Sequence, residues 1–525
     1  MPDTIPALLA VAAERDPGKT WLRTDHEQLT FGQATAQVVG TIERLQQAGV
    51  RRGDLVVVTA RTTPPYPLAW LALTSMGAVA VTCDPELAPP ELVGLVSQVR
   101  PRLLLTDDAM VARVETSGAR EQAELGVGRV EDLVDRTSYP GHRGPGLVGL
   151  GLRGSGPGPD DVATLIPTSG TTGRSKLVMQ THRAYAMAGD GFPYWMELTE
   201  DDRLLTSLPL FHVNATAYST MGSLACGAGL VLLPRFSASG FLDSARRHVA
   251  TEFNAIGAML EILMRQPERP DDADTPLRLC YTGPSPTQQR QEEIEARLGL
   301  RIACGYAMSE SAYGLIWPRG RRPYGTLGGL RQHPTLGVVN HGRVVGDDDA
   351  DVPVGEVGEM LLRNPAVTPG YWQLPDETAA AIVDGWLHTG DLVTEDGDGM
   401  YTFVARKKEV LRRRGQNLSP AEVEEAIASH PDVLECAVVG VPSELSEEDI
   451  KAFVVLVPGR RVDFAALQAW AAERLTAFKV PRFWQALDSL PRTPTARVAK
   501  HGLPTGHPPD EVDADQRQVQ GQDGP

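Results

Sequence analysis

The sequence predicts an α/β protein: a large N-terminal domain of mixed, mostly parallel sheets with flanking helices, plus a small α+β C-terminal domain. Helix-like and strand-like patterns alternate through the first 110 residues, the one-dimensional signature of βαβ units and a largely parallel sheet. Near residue 405 the pattern changes to a run of about 100 residues with two helices and two strands, an ordinary domain size. At 525 residues the chain is long enough for two or more domains.

Residues 31–48 carry apolar positions at helical spacing, and 54–60 (DLVVVTA) form a short β-rich run. Residues 68–76 read as helix, 78–82 as strand, 90–99 as helix and 102–106 (RLLLT) as strand. The eight glycines of 141–160 mark a loop leading into the apolar run 162–167. Strand patterns return at 204–208, 229–233 and 277–281. Gly and Asp crowd 355–403, which reads as short strands and turns. Beyond 405 come a helix at 420–429, strands at 435–441 and 452–457, and a helix at 464–475. Residues 507–525 are polar, acidic and Gln-rich, a composition that predicts a disordered tail.

The formal net charge is -17, against 50 Lys and Arg. Nucleic-acid and membrane-surface binding both want a basic face, so neither partner is expected. Five scattered cysteines without a CxxC pair predict neither a disulfide framework nor a zinc site. The N-terminus lacks a basic, then apolar, leader, and no apolar run reaches the roughly 20 residues of a membrane span. A cytoplasmic enzyme is expected.

The most informative stretch is Thr168-Ser169-Gly170-Thr171-Thr172-Gly173-Arg174-Ser175-Lys176. Glycines let backbone N–H groups converge on an anion, hydroxyls add rotatable donors, and Lys176 adds a charge. Such a loop suits a polyphosphate. It is not a Walker A sequence, because Leu177 follows Lys176 and the G-x-x-x-x-G-K-[ST] spacing is absent. Residues 177–180 read as a returning strand, with a helix only from about residue 181. The loop therefore bridges two antiparallel strands, which disfavours a P-loop kinase.

With the motifs that follow it, this loop resembles the phosphate-binding signature of the adenylate-forming superfamily: acyl-CoA synthetases, nonribosomal-peptide adenylation domains and luciferases. The acyl-CoA ligase branch fits best, and the resemblance runs from about residue 5 to 503. In Leu208-Pro209-Leu210-Phe211-His212-Val213-Asn214, it implies that His212 borders the acyl carboxylate and thiol route. In Gly305-Tyr306-Ala307-Met308-Ser309-Glu310, it implies adenine stacking by Tyr306, a phosphate contact by Ser309 and Mg²⁺ ligation by Glu310. Magnesium prefers one or two carboxylates plus phosphate oxygens, which fits. Thr282-Gly283-Pro284-Ser285 resembles the turn along adenine and acyl group. Small residues such as Gly283 and Ala307 would leave room for a bulky acyl group, beside His212, Asn214 and Met308.

In Gly385-Trp386-Leu387-His388-Thr389-Gly390-Asp391, the resemblance implies that Asp391 accepts both ribose hydroxyls. Residues 405–424 resemble the interdomain junction, where Arg406 maps onto the ribose-contacting Arg, Lys408 onto the hinge residue and Gly415 onto the pantetheine-tunnel glycine. The implied division is 1–404, a hinge at 405–409, a mobile domain at 410–505 and a tail at 506–525. Residues 406–414 carry six positive charges and one negative. They read either as a patch for an anion such as CoA or as a solvated basic strand.

Two departures stand out. The family's last motif, Pro-x-x-x-x-Gly-Lys, here ends in Ala496-Arg497, with Lys500 three residues on. That Lys bridges the acyl carboxylate and the α-phosphate during adenylation and swings away for thioester formation. A guanidinium is a wide planar fork and does not replace a point charge. In the loop, the usual Pro-Lys-Gly is Ser175-Lys176-Leu177, which relaxes the β/γ-phosphate clamp. The expected activity is thioester formation from acyl-AMP and CoA, with ATP-dependent adenylation weak or lost. A separate adenylating enzyme would then supply the acyl-AMP. The alternatives are a complete two-step ligase, with Arg497 tolerated or Lys500 serving instead, loading of an acyl carrier protein, and a non-catalytic acyl-nucleotide binder. The expected ligands are a small carboxylic acid or its adenylate, AMP, CoA and Mg²⁺, with ATP if adenylation is retained. The acyl group is not legible, and the oligomeric state is open, a homodimer included.

Overall fold

Strand Leu55–Thr59 shows how the first sheet is built. Val56 and Val58 point to one side and Val57 to the other, and all three are fully buried, as in a parallel strand covered on both faces. The computed structural model describes residues 2–134, 156–168, 176–283, 285–413, 416–442, 448–461, 463–492, 498–504, 508 and 511–513. Leu55–Thr59 pairs in parallel with Val79–Thr82 and Leu103–Thr106, within a six-stranded sheet. That sheet ends in the pair Val162–Thr168 and Lys176–Thr181, which is antiparallel, as the loop reading requires.

A nine-stranded sheet has a parallel centre, from Thr20–Arg23 through Gly229–Leu232, Arg203–Thr206, Glu252–Asn254 and Leu279–Thr282 to Arg301–Met308. Antiparallel strands close both of its ends. Helices Ile5–Arg15, Phe31–Gln47, Pro65–Ser75 and His182–Met196 share one core with residues of both sheets. Pro65–Ser75 is buried on every side, so its sequence (PYPLAWLALTS) has no polar face. Helix Pro89–Val99 covers the other face of the six-stranded sheet with Leu92, Leu95, Val96 and Val99.

By contacts the chain divides into two units, residues 1–343, 361–388 and 396–402 against residues 344–360, 389–395 and 403–525. In the second unit, Val433–Pro442, Glu448–Leu456, Phe483–Ala486 and Val512–Asp513 form a four-stranded sheet. Helices Pro420–Ala428 and Phe464–Arg474 pack on it through Val423, Ile427, Leu467 and Ala471. The tail expected to be disordered thus supplies an edge strand. Its charges explain the difference: Asp513 forks onto Arg482 at 2.9 and 3.1 Å, and Glu511 pairs with the fully buried Lys451. Residues 514–525 lie outside the described part. Among the described residues no helix is long and apolar enough to cross a membrane.

One buried titratable group sets an acid limit on the fold. His182, at the start of helix His182–Met196, is fully buried, and its Nδ1 accepts from the Ile5 amide at 3.4 Å. Burial lowers its pKa to about 4. The unfolded chain, with an ordinary imidazole near 6.5, therefore takes up the proton first. Stability is expected to fall as pH drops below about 6.5, losing roughly 3 kcal/mol by pH 4 through this group. In His182→Gln that loss is absent, so the stability gap between wild type and variant in urea titrations should narrow from pH 7 to pH 4.5. A constant gap would contradict it.

Candidate active site

The strand after the hydroxyl-rich loop fixes where its last residue points. Lys176 is in register with Thr168, whose hydroxyl donates to the Lys176 carbonyl at 3.3 Å. The rest of the strand is held across its open edge by residues 368–372. The Met179 amide donates to the Gly370 carbonyl at 3.0 Å, and Trp372 donates to the Leu177 carbonyl at 2.8 Å. This brings Tyr371 beside Lys176, whose ammonium lies 4.9 Å from the ring centroid and ion-pairs with Glu377.

The Tyr371 hydroxyl donates to Glu310 Oε1 at 2.9 Å. Burial, then the Glu310 charge, pushes the Tyr371 phenol up from its ordinary range, so it remains a donor. Glu310 is pinned further by its carbonyl, which accepts from the Thr368 amide at 2.7 Å, and Gln180 donates to the Ser309 carbonyl. Glu377, Lys176, Tyr371 and Glu310 thus form one chain of contacts. Two of these residues were expected from sequence, and Tyr371 and Glu377 were not. Their only sequence signal is an aromatic and an acid in an aperiodic stretch; the long-range pairing with 176–181 gives them meaning.

His212 follows the strand Arg203–Thr206, and its ring meets Phe211 edge-on at 4.4 Å. The segment is anchored by Thr62, which accepts from the Leu210 amide, and by Thr82, which donates to the Phe211 carbonyl at 3.2 Å. Asn214–Thr220 then runs as a π-helix, a wide turn often found at functional sites, and no sequence signal announced it. Asn214 is fixed by Asn254, which donates to its Oδ1 at 2.7 Å. Gly283 is needed for close approach, because a Cβ there would lie 2.3 Å from the Gly305 carbonyl oxygen. Ser285 donates to the Pro286 carbonyl at 3.0 Å, and the Tyr306 hydroxyl lies 3.7 Å from Met308 Sδ. Ala307 and Met308 are half-buried on the same strand.

A second constellation lies in the other unit. Asp391, on strand Trp386–Glu395, is fully buried, and its Oδ1 is 2.7 Å from Arg406 Nε. Its neighbours leave little play: the Gly390 amide donates to Glu359 Oε1 at 3.0 Å, and Thr389 donates to the Met360 carbonyl at 2.7 Å. Lys407 pairs with Glu359 at 3.1 Å and Asp347 at 3.3 Å. Arg413 is buried against Asp449 at 3.0 Å. Of the 406–414 charges, Arg406, Lys407 and Arg413 are described, and each has an acidic partner. Lys500 lies 2.8 Å from Glu424 and 3.6 Å from Glu409. Lys408 sits in the 3-10 turn Lys407–Glu409, its side chain outside the described part. Ser169, Gly170, Thr171, Thr172, Gly173, Pro284, Gly415 and Arg497 also lie outside the described residues. Among the described residues no group of three or more His, Cys, Asp or Glu side chains is placed to hold a metal.

Residues 9–372 match the family model of the AMP-binding enzyme, and residues 422–497 match that of the AMP-binding enzyme C-terminal domain. The chain belongs to the AMP-binding enzymes. It lies on the acyl-CoA ligase branch of the adenylate-forming superfamily. Crotonobetaine/carnitine–CoA ligases of Salmonella agona and Salmonella typhimurium are 29% identical to it over 497 residues, covering 91% of this chain and 93% of theirs. Among solved structures, o-succinylbenzoate CoA synthetase from Bacillus subtilis with its acyl-adenylate intermediate superposes with a TM-score of 0.81 at 25% identity, covering 95% of this chain and 98% of that one. A benzoate CoA ligase from Burkholderia xenovorans has a TM-score of 0.82 at 24% identity, covering 95% and 99%, a likeness of fold. Lys176 and Glu310 offer a cation and a carboxylate of the kind phosphates and Mg²⁺ use, and Asp391 offers the acceptor that hydroxyls use.

Proposed function

We propose that this AMP-binding enzyme forms an acyl-CoA thioester from an acyl-adenylate and CoA, and that its ATP-dependent adenylation is weak or lost. The observation that carries the reading is Ala496-Arg497 where the family's Gly-Lys stands. Losing one positioned contact to a developing charge costs about 10²–10³ in rate. Thioester formation does not draw on that contact. In it the CoA thiolate attacks the acyl carbonyl, the bond to phosphate breaks, and AMP leaves with the electron pair.

Asp391 and Arg406 hold the ribose of acyl-AMP and AMP, and His212 borders the carbonyl and the incoming thiol. The residues fit Mg²⁺ as a companion of nucleotide phosphates, with Glu310 as its single carboxylate. CoA as acceptor is supported by the relatives, which are CoA ligases in name. A complete two-step reaction is the second reading, favoured by likeness to o-succinylbenzoate CoA synthetase with ATP and magnesium, at 26% identity. A separate adenylating enzyme belongs to the first reading alone.

A parallel assay separates them. A panel of acids is supplied with ATP, Mg²⁺ and CoA, and the matching synthetic acyl-AMPs with CoA alone. Thioester is expected at least about 10²-fold faster from acyl-AMP, and Arg497→Lys is expected to raise the ATP-dependent rate. Equal rates from both sources would establish the two-step reaction.

A further inference from the structure

Lys176 brings one positive charge to the end of the hydroxyl-rich loop, and that charge already has an anion. The ammonium ion-pairs with Glu377 and rests over the Tyr371 ring. Glu377 lies in the first turn of helix Pro375–Ala381, where the helix dipole favours a carboxylate. Helix and ring are one piece, because the Thr378 hydroxyl accepts from the Tyr371 amide at 2.9 Å and donates to the Leu374 carbonyl at 2.8 Å. Lys176 is fixed by its strand register with Thr168. The carboxylate therefore meets the ammonium without either backbone having to move.

A carboxylate and a terminal phosphate offer an ammonium the same thing, anionic oxygen. We propose that Glu377 is a built-in competitor of polyphosphate at Lys176. It biases the nucleotide site toward ligands with a single esterified phosphate, acyl-AMP and AMP, and against nucleoside triphosphates. A triphosphate must displace Glu377 from Lys176 and then share the space with its negative charge. A monophosphate asks neither. The side chains of Lys176 and Glu377 are 25% and 45% exposed, so solvent screens the pair and the bias is several-fold. The inference rests on the reading that the loop faces the polyphosphate.

The test uses the full chain with Glu377→Gln, Lys176→Ala and the double variant, each first shown to keep the wild-type melting midpoint. ATP and AMP affinities are measured by calorimetry at fixed Mg²⁺, without acid or CoA, so that no turnover is needed. Glu377→Gln is expected to raise the ATP-to-AMP affinity ratio about three- to five-fold. That gain should vanish in the Lys176→Ala background. An unchanged ratio in Glu377→Gln, with ATP weakened by Lys176→Ala, overturns the competitor and leaves the loop reading standing. ATP affinity indifferent to Lys176→Ala overturns both.

Discussion

Asp391→Ala is expected to lower kcat/KM for acyl-AMP about 10²–10³-fold while the protein stays folded. A carboxylate accepting both ribose hydroxyls makes two charge-assisted hydrogen bonds, each worth about 1.5–3 kcal/mol. Losing about 3–4 kcal/mol is a factor of that size. The proposed role rests on how the position is held. The side chain is buried, Arg406 stands 2.7 Å away, and the flanking Thr389 and Gly390 are tied to Met360 and Glu359. A ribose bound there, as proposed, would meet a carboxylate that needs no rearrangement. Arg406→Ala should cost less, because the Arg406 side chain is 38% exposed and its charge is screened. Initial rates against acyl-AMP concentration and AMP titrations check both. A fall below about threefold in Asp391→Ala, against the hydrogen-bond scale, would reduce Asp391 to a structural partner of Arg406.

Truncation after Leu503 is expected to destabilise the C-terminal unit by about 3–5 kcal/mol, the cost of leaving a buried charge without its partner. The buried charge is Lys451, on the face of strand Glu448–Leu456 shared with Phe453 and Val455, and its carboxylate is Glu511. Arg482 loses the fork of Asp513 as well but keeps Asp449 at 3.0 Å. Calorimetric unfolding of the truncated and full chains measures the loss. Lys451→Met in the truncated chain should restore most of it, because an apolar side chain of similar length asks for no counter-charge. A truncated chain that melts with the full one would show the edge strand to be dispensable.

These two regions show what was legible and why. Residues 162–181 were readable because their signals are local: an apolar run, a block of glycines and hydroxyls, then a second apolar run. Helix and strand patterns in 31–106 were legible for the same reason. Val56 to Val58 read as a short β-rich run, and the structure adds that both of its faces are covered. Tyr371 was not legible, since its place beside Lys176 depends on pairing with a strand nearly 200 residues earlier. Glu377 looked like any acid in a stretch read as short strands and turns, and the helix Pro375–Ala381 that carries it was missed. In the described part of the tail, composition counts Glu511 and Asp513 as solvated charges, and only the folded sheet brings Lys451 and Arg482 to them. In the basic stretch, composition gave no sign that Arg406, Lys407 and Arg413 have Asp391, Glu359 and Asp449 as partners.

The edge strand Val512–Asp513 also orders events during synthesis. It pairs with Phe483–Ala486, and its two acidic anchors, Glu511 and Asp513, follow the rest of the small sheet in the chain. The N-terminal unit has its sheets and helices in hand well before residue 511 is made and can fold as it emerges. The small sheet cannot complete itself until residues 511–513 have been made and have left the ribosome. A nascent chain stalled before residue 511 would carry Lys451 without its counter-ion and an unpaired sheet edge, the kind of surface chaperones hold.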